Sequence, residues 1–193
     1  MNLRAKKTAA FAVLSVATLC CAPISNANAV KSMTSAFKVS ATGVGSKNLL
    51  PIDSTCDGAA LSPALTFTGI PKNTKSIAVI MYGIPGPARP GETAPSTHVY
   101  WTLYNLPAKT TAIAQGSNGG GLVGHNFKDN TLSYTPPCSQ GPGLKEYTIT
   151  GYALKSVIAL TPAQTTRESL VKTMTSITLA TSTLTLTYER AQP

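Results

Sequence analysis

The sequence predicts an all-β domain, mainly strands with one or two short helices, and three observations carry that expectation. Gly and Pro are frequent, at 15 and 14 of 193 residues, and each interrupts helices. Charged residues make up only 12% and apolar ones reach 42%, too little charge for a long coiled coil and too many apolar residues for a disordered tail. Short runs of strand length, alternating or wholly apolar, recur between turn signals.

The chain opens on a segment that does not read as part of the domain. Arg4, Lys6 and Lys7 precede an acid-free apolar run from Ala9 to Cys21, and Pro23 and then Ala27-Asn28-Ala29 follow. A basic start, a short apolar core and small residues at both positions inspected by signal peptidase describe an export signal, residues 1–29, cleaved after Ala29. Cys20 and Cys21 invite a lipoprotein reading, but Leu19 or Cys20 would then stand where a small residue is needed. No later stretch approaches the ~18 apolar residues of a membrane span, so the mature chain, 30–193, is expected to carry no transmembrane segment. Periplasmic or secreted localisation follows.

The formal charge of +9 at first invites nucleic acid, but three of its cations belong to the signal. The others stand singly, as at Lys31, Lys47, Lys72, Lys109 and Lys155, with no aromatic interleaving, so no nucleic-acid partner is expected. The cysteines left in the mature chain, Cys56 and Cys138, are read as a disulfide of an exported protein; two free buried thiols are the alternative.

Within the domain, Leu65-Thr66-Phe67 is a short strand candidate. Ser76 to Tyr82 is an apolar run of strand length, expected to be buried on both faces. His98 to Tyr104 alternates, placing Val99, Trp101 and Leu103 on one face and His98, Tyr100, Thr102 and Tyr104 on the other. Tyr147 to Leu154 is a further strand in which Gly151 marks a bulge or a close approach. Leu184, Leu186 and Tyr188 alternate with threonines in a half-buried terminal strand. One helix is expected, where Thr165 and Glu168 fit a capping box and Leu170, Val171, Met174 and Ile177 recur at helical spacing. Two long connections, Gly83–Thr97 and Gln115–Lys145, are where a site would sit.

Catalytic and cofactor motifs are missing. Gly119-Gly120-Gly121 lacks the Lys-Ser/Thr ending and helix start of a phosphate cradle. His98 and His125 are the only histidines and have no acidic cluster nearby, so no metal and no cofactor is expected. Ser62, Ser96 and Ser139 sit in no nucleophile elbow, and the chain is read as not an enzyme.

An ordered set of segments does carry information. Cys56-Asp57-Gly58-Ala59-Ala60-Leu61-Ser62-Pro63-Ala64-Leu65-Thr66-Phe67, then Gly69 to Ser76, are followed by Trp101-Thr102-Leu103-Tyr104-Asn105-Leu106-Pro107. Gly124-His125-Asn126, Tyr134-Thr135-Pro136-Pro137-Cys138, Gly141-Pro142-Gly143-Leu144-Lys145-Glu146-Tyr147 and Leu184 to Arg190 complete it. In this order the set resembles the phosphatidylethanolamine-binding protein family, and looks most like its bacterial Raf-kinase-inhibitor-like branch. The resemblance implies a sandwich of two antiparallel sheets with a small anion pocket at one edge.

The departures from the family's pattern fall on that pocket. Its Asp-Pro-Asp-Ala-Pro segment falls on Gly83-Ile84-Pro85-Gly86-Pro87, so both aspartates are missing. Its His-Trp falls on Tyr100-Trp101, and its His-Arg-Tyr on Lys145-Glu146-Tyr147. The resemblance therefore assigns a ligand site to Gly83, Pro85, Tyr100, Lys145 and Tyr147, with His98 standing in for a lost histidine. The resulting function is a non-enzymatic binding protein for a phosphate or phospholipid headgroup, or one that inhibits a protein partner. The alternative is a structural or host-interaction protein whose pocket has degenerated, and the two differ in whether Tyr100 leaves the cavity open or fills it.

Overall fold

The protein's structure, a computed structural model, describes residues 36–190 apart from residues 46, 85, 87–89, 92, 129–130 and 140–141. The expected export signal and its cleavage point lie outside the described residues, as does Pro85. Two antiparallel sheets make up the domain, the expected fold class. The smaller contains β1 (Lys38–Ala41), β2 (Leu65–Thr68) and β5 (Ala112–Ile113) in the order β1-β2-β5. The larger contains β3 (Ser76–Gly83), β4 (His98–Pro107), β6 (Leu122–Val123), β7 (Lys145–Leu154) and β8 (Thr178–Tyr188) in the order β6-β4-β3-β7-β8. Among the described residues there is one α-helix, α1 (Arg167–Met174), which leads into β8.

Strand β3 explains the layering. Its unbroken apolar sequence is buried at every position but Tyr82, because both of its faces are covered. On one side Val79 and Met81 join Trp101, Leu103, Phe67 and Ile149 between the two sheets. On the other, Ala78 and Ile80 meet Leu154, Ile158, Leu170 and Met174 beneath α1. Gly151 on β7 is a close approach: a Cβ there would stand 3.3 Å from Val39 Cβ on β1 and 3.5 Å from Cζ of Phe37 just before it.

The alternation read along β4 is corrected by its register. Met81 pairs with Trp101 but Tyr82 with Val99, so Tyr100 is an extra, unpaired residue opposite one peptide step of β3. A second shift lies where Ile77 pairs with Leu106 and Val79 with Leu103. A β-bulge advances the face phase by one residue. In consequence Tyr100, Trp101 and Leu103 all enter the inter-sheet core, while Val99 and Tyr104 pack on the helix side.

The helix also starts one residue later than its capping pattern predicts. Thr166 is the N-cap, its hydroxyl accepting from the Ser169 amide at 3.2 Å, and Ser169 Oγ accepts from the Thr166 amide at 2.9 Å. Thr165 is instead buried, donating its hydroxyl to the Thr161 carbonyl at 2.8 Å. Leu170 and Met174 form the buried face, Val171 is exposed, and Ile177 packs from the turn beyond the helix.

Among the described residues no helix is long and apolar enough to cross a membrane, and no group of three His, Cys, Asp or Glu side chains is placed to hold a metal ion.

Candidate functional site

The site begins at one end of the larger sheet, where three strand ends are level. Gly83 at the end of β3 pairs with His98 at the start of β4 and with Tyr147 near the start of β7. Gly83 has no side chain to spare: a Cβ there would lie 2.9 Å from the Glu146 carbonyl oxygen and 3.4 Å from ring carbons of both Tyr100 and Tyr147. Two rings thus close over a backbone that only glycine leaves bare.

The bulge adds the third component. Tyr100 meets Tyr147 edge to face, with centroids 5.3 Å apart and an interplanar angle of 71°. It meets Phe127 in the same manner at 5.1 Å, and Phe127 stacks on the His98 ring at 4.0 Å and 13°. Phe127 comes from the long connection after β6, which is fastened to β4 through its backbone. The Phe127 amide donates to the Val99 carbonyl at 2.8 Å, and the Thr135 amide to the Tyr100 carbonyl at 2.9 Å. Within this loop the buried Asn126 donates to Thr131 Oγ1 at 2.8 Å and accepts from the Lys128 amide at 2.9 Å.

These walls enclose a cavity of about 540 Å³. Gly83, His98, Tyr100, Lys145 and Tyr147, all expected at the site, line it, and Pro85 lies outside the described residues. Tyr100 forms a wall and does not fill the space, although it is only 5% exposed. Sequence reasoning did not assign Phe127, Lys128, Thr135, Pro136, Ser139 or Glu146 to the ligand site, although they line the same cavity. The segments containing Asn126 and Thr135-Pro136 were visible as family-like, but nothing local assigned them a place in a wall. His125 does not line it; its Nε2 lies 3.1 Å from the Ala163 carbonyl oxygen.

The cavity's polar side chains are the Tyr100 and Tyr147 phenols, the Lys128 and Lys145 amines, the His98 imidazole, the Thr135 and Ser139 hydroxyls and the Glu146 carboxylate. Among the described residues nothing hydrogen-bonds the hydroxyl of Tyr100 or of Tyr147, so both are available to an occupant. Burial pushes the Tyr100 phenol far above its ordinary value, and Tyr147 adds repulsion between would-be phenolates. Burial likewise pushes Tyr147 up to about 12, with a smaller contribution from Tyr188. Both therefore remain O–H donors through the neutral range. Lys145 Nζ donates to the Pro142 carbonyl at 3.0 Å, which leaves two of its three N–H bonds for other acceptors.

In the cavity wall, Cys56 and Cys138 are joined in a disulfide, Cα to Cα 5.3 Å, across 82 residues of sequence. This is the pairing expected from the cysteine count. The Cys56 amide also donates to the Pro137 carbonyl at 3.0 Å, fixing the wall segment at a second point. Beside it Asp57 accepts from the Tyr188 hydroxyl and from Arg190 Nε, the latter at 2.9 Å.

Comparison with known proteins places this arrangement in context. A family model described as phosphatidylethanolamine-binding protein matches residues 40–189. A UPF0098 protein of Chlamydia muridarum is 32% identical over 142 residues, covering 73% of this chain and 91% of the relative. A UPF0098 protein of Methanothermobacter thermautotrophicus is 28% identical over 147 residues, covering 73% and 91%. Among solved structures, one from Chlamydia trachomatis titled a phosphatidylethanolamine-binding protein homologue superposes with a TM-score of 0.72 at 26% identity, covering 81% of this chain and 99% of that one. YbcL of Escherichia coli, titled a member of the mammalian family of that type, shares the fold with a TM-score of 0.68 at 23% identity, covering 81% and 100%.

Proposed function

The chain belongs to the phosphatidylethanolamine-binding protein family, and from that premise we propose that it is an exported, non-catalytic binding protein whose cavity takes a small anion, a phosphate or a phospholipid headgroup. The observation that carries this reading is the open cavity of about 540 Å³ lined by two phenol donors and Lys145. An anion entering it accepts hydrogen bonds from the Tyr100 and Tyr147 hydroxyls, which are protonated and bonded to no described residue. Lys145 and Lys128 supply positive charge from the lining. The aspartates present in the family's pattern are absent at Gly83 and Pro85, so among the described lining residues Glu146 is the only carboxylate that opposes the anion. No catalytic step is part of the reading, because phenols held this far above neutrality donate protons to a hydrogen bond and do not abstract them. The disulfide supports an oxidising compartment and with it export. A bound headgroup presented at the sheet edge would also be the means by which the protein engages a protein partner.

The test is titration with inorganic phosphate and with phosphoethanolamine followed by NMR. Resonances of Tyr100, Lys145 and Tyr147 are expected to move at millimolar ligand. If none of them moves with either anion, the reading fails.

A further inference from the structure

The disulfide is more than a strut. Cys56 and Cys138 both line the cavity, Cys138 is exposed and Cys56 half-buried, and neither lies in a helix or strand. An exposed disulfide held by loops is open to attack by an incoming thiolate, and such bonds are the more readily exchanged ones.

The two sulfurs stand in opposite electrostatic surroundings. Arg190 Nη1 lies 3.7 Å from Cys138 Sγ, and Asp57 Oδ1 lies 3.9 Å from Cys56 Sγ. A disulfide sulfur carries no proton, so the second approach is a contact of a carboxylate with sulfur and not a hydrogen bond. In thiol–disulfide exchange the sulfur whose thiolate is better stabilised leaves, and the attack falls on the other. A guanidinium beside Cys138 stabilises negative charge there, while the carboxylate beside Cys56 opposes it. Asp57 and Arg190 are also bonded to each other, Nε to Oδ1 at 2.9 Å, and the Tyr188 hydroxyl donates to Asp57, so this polarity is held in place from the end of β8.

We propose that Cys56–Cys138 is a polarised thiol-exchange site at which a low-molecular-weight thiol becomes covalently attached to Cys56. The incoming thiolate forms a bond to Cys56 Sγ, the Cys56–Cys138 bond breaks, and its electron pair leaves on Cys138 as a thiolate facing Arg190. Attack of that thiolate on Cys56 Sγ reverses the step and expels the small thiol. A second small thiol instead takes the first away as its own disulfide, leaving both cysteines reduced with two electrons gained from the thiol pair. The Pro136–Ser139 wall is then retained by the Cys56 amide bond to Pro137 alone of the two ties named between Cys56 and this segment.

The inference does not depend on anion binding, and a parallel incubation with 2-mercaptoethanol, an uncharged thiol, is expected to show the same preference for Cys56 as the anionic glutathione. The oxidised full chain is incubated with glutathione as the probe, quenched in acid, and digested without reduction for mass spectrometry. Glutathione is expected on Cys56 in about tenfold excess over Cys138, the size of bias that modest stabilisation of one thiolate produces. Arg190→Gln and, separately, Asp57→Asn are expected to cut that excess to about threefold or less, with the far-ultraviolet circular dichroism unchanged. Equal labelling, a preference for Cys138, or no adduct on the wild-type chain overturns the proposal, and these outcomes are read without any variant.

Discussion

Replacing Cys56 and Cys138 together by serine tests how much of the domain's stability passes through the cavity wall. The bridge closes a loop whose ends are 82 residues apart. The chain-entropy relation assigns about 4.5 kcal/mol to a loop of that length at room temperature, because the cross-link removes conformations from the unfolded chain. For a domain of this size that corresponds to a fall in Tm of about 9–18 °C. The native contacts around the bridge oppose any larger loss, since the Cys56 amide still donates to Pro137 and Asp57 still joins Arg190 and Tyr188. Urea denaturation of the wild type and the double variant, followed by tryptophan fluorescence, measures the difference; Trp101 is fully buried, so its emission reports the inter-sheet core. The m-value is expected to rise in the variant, because its unfolded chain exposes more surface once uncrosslinked. A stability loss under about 1 kcal/mol with an unchanged m-value would refute the reasoning, since the loop-closure term would then be absent from the unfolded state.

Tyr100→Phe removes a hydroxyl that no described residue uses, so unfolding free energy is expected to change by less than about 0.5 kcal/mol while phosphate affinity, read by NMR titration, falls about fivefold. Gly83→Ala places a Cβ 2.9 Å from the Glu146 carbonyl oxygen and against both tyrosine rings; a loss of about 1–3 kcal/mol by urea denaturation is expected, together with weakened anion binding. Lys145→Gln leaves the strand intact and is expected to weaken phosphate binding and flatten its dependence on salt concentration, both measured by calorimetry. For Tyr147, whose folded value is raised from 10.0 to about 12, the folded state binds more protons than the unfolded state between those values. Stability is therefore full below about pH 10 and falls as pH rises toward about 12, by no more than about 1–3 kcal/mol from this group; unfolding curves across that range, with phenolate absorbance recorded alongside, check the sign.

The parts of the fold that were legible in the sequence are those where one periodicity acts without interruption. Ser76 to Tyr82 reads as a doubly buried strand because seven residues in succession fit nothing else of that length, and β3 is one. Strand β4 was legible as a strand but its faces were not, because an inserted residue leaves no mark on composition and shifts every side chain beyond it. Thr165 and Thr166 are chemically equal candidates for the helix cap, and burial of Thr165 under the sheet decides between them. Strands β1, β5 and β6 are two to four residues long, too short for a period to show. At the site, residues on strands were found from their match to the family's motifs. Phe127 and Lys128 were not, because their position depends on the loop's attachment to the Val99 carbonyl and on Asn126, both tertiary facts.

The cavity follows from one residue too few and one too many. At the end of β3 the missing side chain of Gly83 leaves room beside Tyr147, and on β4 the unpaired Tyr100 turns its ring into the space that a regular register would have given to the opposite face. Neither change works alone. A side chain at position 83 would strike the Glu146 carbonyl oxygen and press on both rings, and a β4 continued without its bulge from Trp101 would direct residue 100 toward the helix side with Tyr104. The two changes also set the chemistry. Rings brought this close are dehydrated, dehydration keeps their phenols protonated, and protonated phenols with no acceptor among the described residues present donors to the cavity. For the anion proposed to bind here, these two phenols are donors whose protonation stays the same throughout the neutral range.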